Sequence, residues 1–224
     1  YFSGVAAPAG EAAFLRGERL IWRWAGGEHE ICSVGDIGLR GRHNVLNVLA
    51  AGALSGAALS LAGQPAPAAV EAMRAGLAGF QGVEHRLEFV REWQGARWYN
   101  DSMASAPERV AAALQAFDEP LVLLLGGRDK KLPWDDLAGR VRERVRHTVL
   151  FGEAGPLIRR ALEAAQVAPD RLTQCGPLRE AVAAAARLAA RGDVVLLSPG
   201  CTSFDEFKDF ADRGEQFKAW VRAL

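Results

Sequence analysis

Lysine is rare in this chain. Only four of the 27 cationic residues are lysines, and two of them, Lys130 and Lys131, stand side by side in the segment GGRDKK. A lysine placed in a loop is therefore a candidate ligand contact. Two further segments, NDSMAS from Asn100 and SPGCTSFDEF from Ser198, combine hydroxyls, carboxylates and small residues, and a short GE follows Phe151. Taken singly, Gly, Asp and Ser at such places are turn residues and nothing more. Gathered on one edge of a sheet, hydroxyls, an ammonium group and backbone N–H groups make an anion site.

Other chemistries lack their residues. The chain has no GxxxxGK[ST] phosphate loop, no Gly-Lys dipeptide at all and no GxGxxG fingerprint. The four histidines, His29, His43, His85 and His147, fall in no triad or zinc spacing. On residues alone, the reading stops at an anion-binding α/β domain.

The elements that must position these loops follow from the apolar pattern. LVLLLGG, HTVLFG, RLTQCG and DVVLLSPG are strand candidates, separated by amphipathic stretches near 134–146, 155–166 and 178–191. Continuous apolar strands alternating with helices predict a Rossmann-like, doubly wound, mostly parallel α/β sheet. In such sheets the ligand crevice lies beyond the carboxyl ends of the strands, where the four loops fall. A hairpin, HRLEFVREW turning through Gln94-Gly95 into ARWYND, and a helix over 107–117 precede this alternation.

Residues before Gly82 read differently. AAFLRG and RLIWRW predict small strands, followed by GRHN, an apolar helix, and a second helix opened by Pro65–Pro67 with Val70, Met73, Leu77 and Phe80 on one face. The boundary predicts two domains, 1–81 and 82–224. The first would leave apolar surface uncovered by itself, and the start at Tyr1 reads as a cut. The run from Val45 to Gly63 approaches membrane-spanning length. Its Asn47, Ser55 and Ser60, with Gly52 and Gly56 for close packing, predict a buried helix instead.

Composition sets the outer bounds. Half of the 224 residues are apolar, and Lys plus Arg equals Asp plus Glu at 27 each. A neutral balance offers no electrostatic footprint for nucleic acid or an anionic membrane. Three scattered cysteines and no secretory signal predict a reduced, cytoplasmic protein. A monomer acting on small molecules is the expectation.

Five blocks carry a resemblance: GRHNVLN (41–47), EHRLEFV (84–90), WYNDSMAS (98–105), LLLGGRDKKLPW (123–134) and LLSPGCTSFDEFKDFADRGEQF (196–217). In this order and spacing they resemble the Mur ligase family, and the last two blocks resemble its D-glutamate-adding branch. The resemblance spans essentially the whole chain. It implies that residues 1–81 are the C-terminal portion of an α/β ATPase central domain and 82–224 the amino-acid-binding C-terminal domain. It also implies an ATP- and Mg2+-dependent ligase joining D-glutamate to UDP-N-acetylmuramoyl-L-alanine through an acyl phosphate. The family's phosphate loop, UDP-binding domain and magnesium-holding lysine are outside this sequence, so no catalytic and no metal-binding residue is assigned in it.

Residue by residue, the resemblance implies that Asn47 meets the adenine, and that Arg86 and Asp101 meet the ribose and phosphates of ATP. Lys130 and Ser105, the latter standing where the family usually has threonine, are implied to hold one D-glutamate carboxylate. Ser203 and Phe210 are implied to hold the other and to line the site. Each has a plainer reading: a helix-end hydrogen bond for Asn47, a surface ion pair for Arg86, and core packing for Phe210, because Phe204, Phe207, Phe210 and Phe217 recur at helical spacing. Met103 departs from the lysine common at its position. Two alternatives stay open, a sister ligase of the Mur or folylpolyglutamate type and a stand-alone amino-acid- or nucleotide-binding module. The DNPR motif of the diaminopimelate-adding branch is absent.

Overall fold

The computed structural model describes residues 1–80 and 82–224. The chain divides into two compact units, Tyr1–Gly82 and Val83–Leu224. The boundary expected between residues 81 and 82 touches Gln81, which lies outside the described residues.

The first unit holds four strands, β1 (Phe2–Ser3), β2 (Ala12–Arg16), β3 (Arg19–Trp24) and β4 (Gly27–Ser33), in that spatial order. Only the β1/β2 pair is parallel. Helices α1 (Arg42–Leu61) and α2 (Ala66–Ala78) cover the sheet. The expected glycine contacts are present: a Cβ on Gly56 would stand 2.4 Å from the Trp22 ring, and one on Gly52 would stand 2.9 Å from Ile31. Burial of α1 is confined to one stripe, and the rest of its apolar surface is uncovered, as expected of this segment by itself. Only Val45, Leu49, Gly52 and Gly56 are buried, while Leu54 and Leu61 are exposed. Within this unit the sheet and α2 pack against one side of α1. By length and composition alone α1 could cross a bilayer. Phe80, expected on the apolar face of α2, lies beyond its end and is about half exposed.

The second unit contains the expected α/β sheet. Strands β5 (Glu88–Trp93), β6 (Ala96–Asn100), β7 (Leu121–Gly126), β8 (Val145–Phe151), β9 (Leu172–Gln174) and β10 (Val194–Gly200) lie in the order β5-β6-β10-β7-β8-β9. All pairs are parallel except the β5/β6 hairpin. The hairpin turns through Gln94 and Gly95, both at positive φ, as a two-residue loop between right-twisted strands requires.

Strand alternation sorts the core into two layers. Leu121, Leu123, Leu125, Val194 and Leu196 face one layer with α3 (Pro107–Leu114), α4 (Asp135–Arg144) and α5 (Gly155–Ala164). Val122, Leu124, Val195 and Leu197 face the other with α6 (Leu178–Leu188) and α7 (Phe210–Arg222). Successive strand side chains point to opposite faces, so unbroken apolar strands bury both. Helix α3 stops at Leu114, short of the expected 117, although Phe117 still packs in the core.

Candidate functional site

The topology brings three loops together. Strand β10, late in the chain, inserts between β6 and β7, so the segments after β6, β7 and β10 are neighbours at the carboxyl edge of the sheet. Pairing continues past the strand ends, because Arg128 and Thr202 exchange backbone hydrogen bonds of 2.9 and 3.0 Å. Gly127 permits this approach. A Cβ on Gly127, whose φ is +119°, would lie 2.2 Å from the Thr202 carbonyl oxygen.

Lys130 and Ser105, from the β7 and β6 loops, meet. The exposed Lys130 ammonium donates to the Ser105 hydroxyl at 3.1 Å. Ser203, in the β10 loop, is buried, and its carbonyl accepts the N–H groups of Glu206 and Phe207. Phe210 is the first residue of α7, which Asp209 caps by accepting the Asp212 N–H at 2.8 Å. The four phenylalanines do not share a helix. Phe207 and Phe217 are core, Phe204 is exposed, and Phe210 keeps 39% of its surface open while its ring meets the His85 edge at 6.0 Å. Phe210 is therefore partly exposed and not core.

Arg86 and Asp101 also share a neighbourhood. Arg86 is exposed, whereas Asp101 is buried and accepts the Ser198 hydroxyl at 2.8 Å and the Leu87 N–H at 3.3 Å. Burial pushes the Asp101 carboxyl up to about 7, against the downward pull of those hydrogen bonds and of Arg86 and Arg109. A raised carboxyl holds its proton in the folded chain after the unfolded chain has lost it. Stability on its account therefore falls as pH rises from the ordinary value of 3.8 to about 7, and is flat above. Asp101→Asn keeps an acceptor for Leu87 and cannot ionise. In urea titrations it should be more stable than wild type at pH 8, by up to about 4 kcal/mol, with the gap closing below pH 4.

Asn47 sits in the first unit on the exposed side of α1, and its amide donates to the Asn44 side chain at 3.2 Å. Asn44 in turn donates to the Arg40 carbonyl at 2.8 Å, so the plainer helix-end bond is present.

Arg213 was not singled out by sequence. Its guanidinium is fully buried and donates to the Ser102 hydroxyl and carbonyl, both at 2.9 Å, and to the Cys201 carbonyl at 3.2 Å. Ser102 passes the connection on by donating its hydroxyl to the Phe210 carbonyl at 2.7 Å. Arg213 thus ties the β6 and β10 loops to the start of α7. Burial pulls its guanidinium down to about 10. In the sequence it reads as one solvated charge among many in DRGEQF; the signal was the neighbouring Gly214, where a Cβ would stand 2.3 Å from the His85 ring.

Among the described residues, one group gathers potential metal-ligating atoms: Glu84, His85 and Glu215. The Lys218 ammonium already stands 2.7 Å from the Glu215 carboxylate, so a cation has no place there. This cluster does not suit Mg2+.

Polar loops gathered at the carboxyl edge of a doubly wound sheet mark the place where α/β domains of this class bind ligands. Residues 85–201 match the domain described as "Mur ligase, glutamate ligase domain", and the chain belongs to that family. It is 46% identical over its whole length to the UDP-N-acetylmuramoylalanine--D-glutamate ligase of Roseiflexus sp. (strain RS-1), and 44% identical to that of Symbiobacterium thermophilum. It covers 48% and 47% of those proteins, so the chain spans about half the length of the curated relatives it matches. Among solved structures, folylpolyglutamate synthase of Mycobacterium tuberculosis complexed with ADP and AMPPCP shares the fold, with a TM-score of 0.62 at 19% identity over 89% of this chain and 45% of that one. A UDP-N-acetylmuramoyl-L-alanyl-D-glutamate--2,6-diaminopimelate ligase does so with a TM-score of 0.59 at 16% identity, over 99% and 47%.

Proposed function

We propose that this chain is the amino-acid-holding and nucleotide-closing half of a ligase that joins D-glutamate to UDP-N-acetylmuramoyl-L-alanine at the expense of ATP. The observation that carries the reading is the 46% identity, across the full chain, to a ligase with that name. Tyr1–Gly82 would belong to the central ATP-binding domain and Val83–Leu224 to the amino-acid-binding domain.

In this reading the terminal phosphoryl group passes from ATP to the UDP-linked carboxylate, giving an acyl phosphate and ADP. The D-glutamate amine then attacks, loses a proton and releases inorganic phosphate as the amide forms. The chain's part is to hold the amine in line. Lys130 and Ser105 take one glutamate carboxylate, while Ser203 and the Phe210 wall hold the other end. Arg86 and Asp101 contact the ATP, and Asn47 serves its adenine. A dicarboxylic amino acid requires donors at both ends, and the Lys130–Ser105 contact, an ammonium beside a hydroxyl, supports the assignment of one of them.

The test is ligation by a protein of the relatives' full length that contains this chain. It should release phosphate only when ATP, D-glutamate and the UDP-linked substrate are all present, and L-glutamate or diaminopimelate should not replace D-glutamate. The 224 residues alone contain no phosphate loop and should not turn over. Turnover by these residues alone, or a preference for diaminopimelate, would sink the assignment.

A further inference from the structure

Arg86 is held between two residues in an unusual conformation. His85 (φ 62°) and Leu87 (φ 46°) both occupy the left-handed region, and neither is glycine. Such strain persists only where the surroundings over-determine it, and here the anchors are visible. The His85 N–H donates to Glu88 Oε2 at 2.9 Å, its carbonyl accepts the Met103 N–H at 3.0 Å, and the Leu87 N–H reaches Asp101.

The same carboxylate is bound to α7. Glu88 Oε1 accepts the Lys218 ammonium at 2.9 Å, and Oε2 also accepts the Asn100 amide at 3.0 Å. Lys218 contacts Glu215 as well, and its side chain is only 5% exposed. The Asn100 carbonyl takes the Ser102 N–H, which fixes the amide so that its nitrogen also donates to His85 Nδ1 at 3.0 Å. The His85 ring then packs against Phe210, and α7 comes this close because residue 214 has no side chain. Burial alone would push the Glu88 carboxyl up and the Lys218 ammonium down, but their partners outweigh it and hold both charged.

We propose that Glu88 and Lys218 are positioning residues: one largely buried ion pair holds Arg86 and Phe210 in a fixed relation, so the nucleotide-contacting and glutamate-contacting ends of this unit are set together. The inference rests on the function proposed above. An exposed pair would contribute little, but a buried carboxylate that loses its cation is left uncompensated and the segment it anchors is free to shift.

The experiment uses the full-length ligase. Lys218→Met should raise the KM for ATP and the KM for D-glutamate together, each by about tenfold, as displacements below an ångström do. The KM for the UDP-linked substrate should stay unchanged, and Lys218→Arg, which keeps the charge, should recover most of the loss. Glu88→Gln, which retains size and an acceptor for His85, serves if Lys218→Met does not fold, and should shift both constants in the same direction. Arg86→Ala and Lys130→Ala are run alongside. If each of these raises its own substrate's KM while the Glu88 and Lys218 variants alter only the melting temperature, the ion pair is merely structural and the inference is overturned. If Arg86→Ala and Lys130→Ala are themselves silent, the functional reading fails and takes the inference with it.

Discussion

Alanine at Gly127 should destabilise the second unit by about 3 kcal/mol or more, a range reached only by changes that break a special backbone conformation or a packed core. The added Cβ would meet backbone, which cannot swing aside. It would stand 2.2 Å from the Thr202 carbonyl oxygen and 3.1 Å from both the Cys201 Cβ and Arg213 Nη1. The backbone at +119° is itself unfavourable for any residue with a side chain. Relief would require parting the β7 and β10 loops, which means breaking the Arg128–Thr202 bridge and loosening Arg213. Urea unfolding followed by tryptophan fluorescence measures the loss. Alanine at Gly139, a helix position with open space around it, is the control and should be neutral or slightly stabilising. Equal stability of Gly127→Ala and wild type would show that the loops are not locked together.

Lys130→Ala carries the largest expected effect on activity. Loss of a charge-assisted bond costs about 1.5 to 3 kcal/mol, so the KM for D-glutamate in the full-length ligase should rise roughly ten- to a hundredfold. Lys130 is exposed and donates to the Ser105 hydroxyl, so thermal stability should hardly change. Lys131→Ala separates site from surface. Lys131 adopts a left-handed backbone at φ 59° and its N–H is tied to the Asp129 carboxylate, features of the turn rather than of the side chain. Steady-state kinetics with varied D-glutamate should show little change for it. An unchanged KM and kcat in Lys130→Ala would make Lys130 a solvated loop residue.

The parallel sheet of the second unit could be read from sequence because its strands are apolar on both faces and its loops polar, a contrast that survives without any knowledge of contacts. The meeting of Lys130 with Ser105 followed from the strand-end rule and the resemblance together. What stayed hidden depends on long-range approach. Arg213, Glu88 and Lys218 read as ordinary solvated charges because their helix or strand spacing is ordinary; only the fold brings α7 against the β5/β6 hairpin, burying Arg213 and Lys218 and half-burying Glu88. The helical spacing of Phe204, Phe207, Phe210 and Phe217 misled for a related reason. Residues 201–209 form turns and bends, not a helix, so the periodicity had no helix to belong to. Helix α1 packs closely through Gly52 and Gly56 and is open elsewhere, which is the uncovered apolar surface expected of Tyr1–Gly82 by itself.

The position of β10 between β6 and β7 also bears on synthesis. Until Val194–Gly200 leaves the ribosome, β6 and β7 each present an unpaired, strongly apolar edge, because the strand that bridges them is the last to be made. The early part of the unit can form helices and the β7–β8–β9 ladder, but it cannot close its sheet. The loops carrying Ser105 and Lys130 gain their common floor only when β10 is threaded home. A nascent chain of this fold is therefore most exposed to edge-to-edge association just before β10 emerges, and a helper that shields β-edges at that stage guards the candidate site as well as solubility.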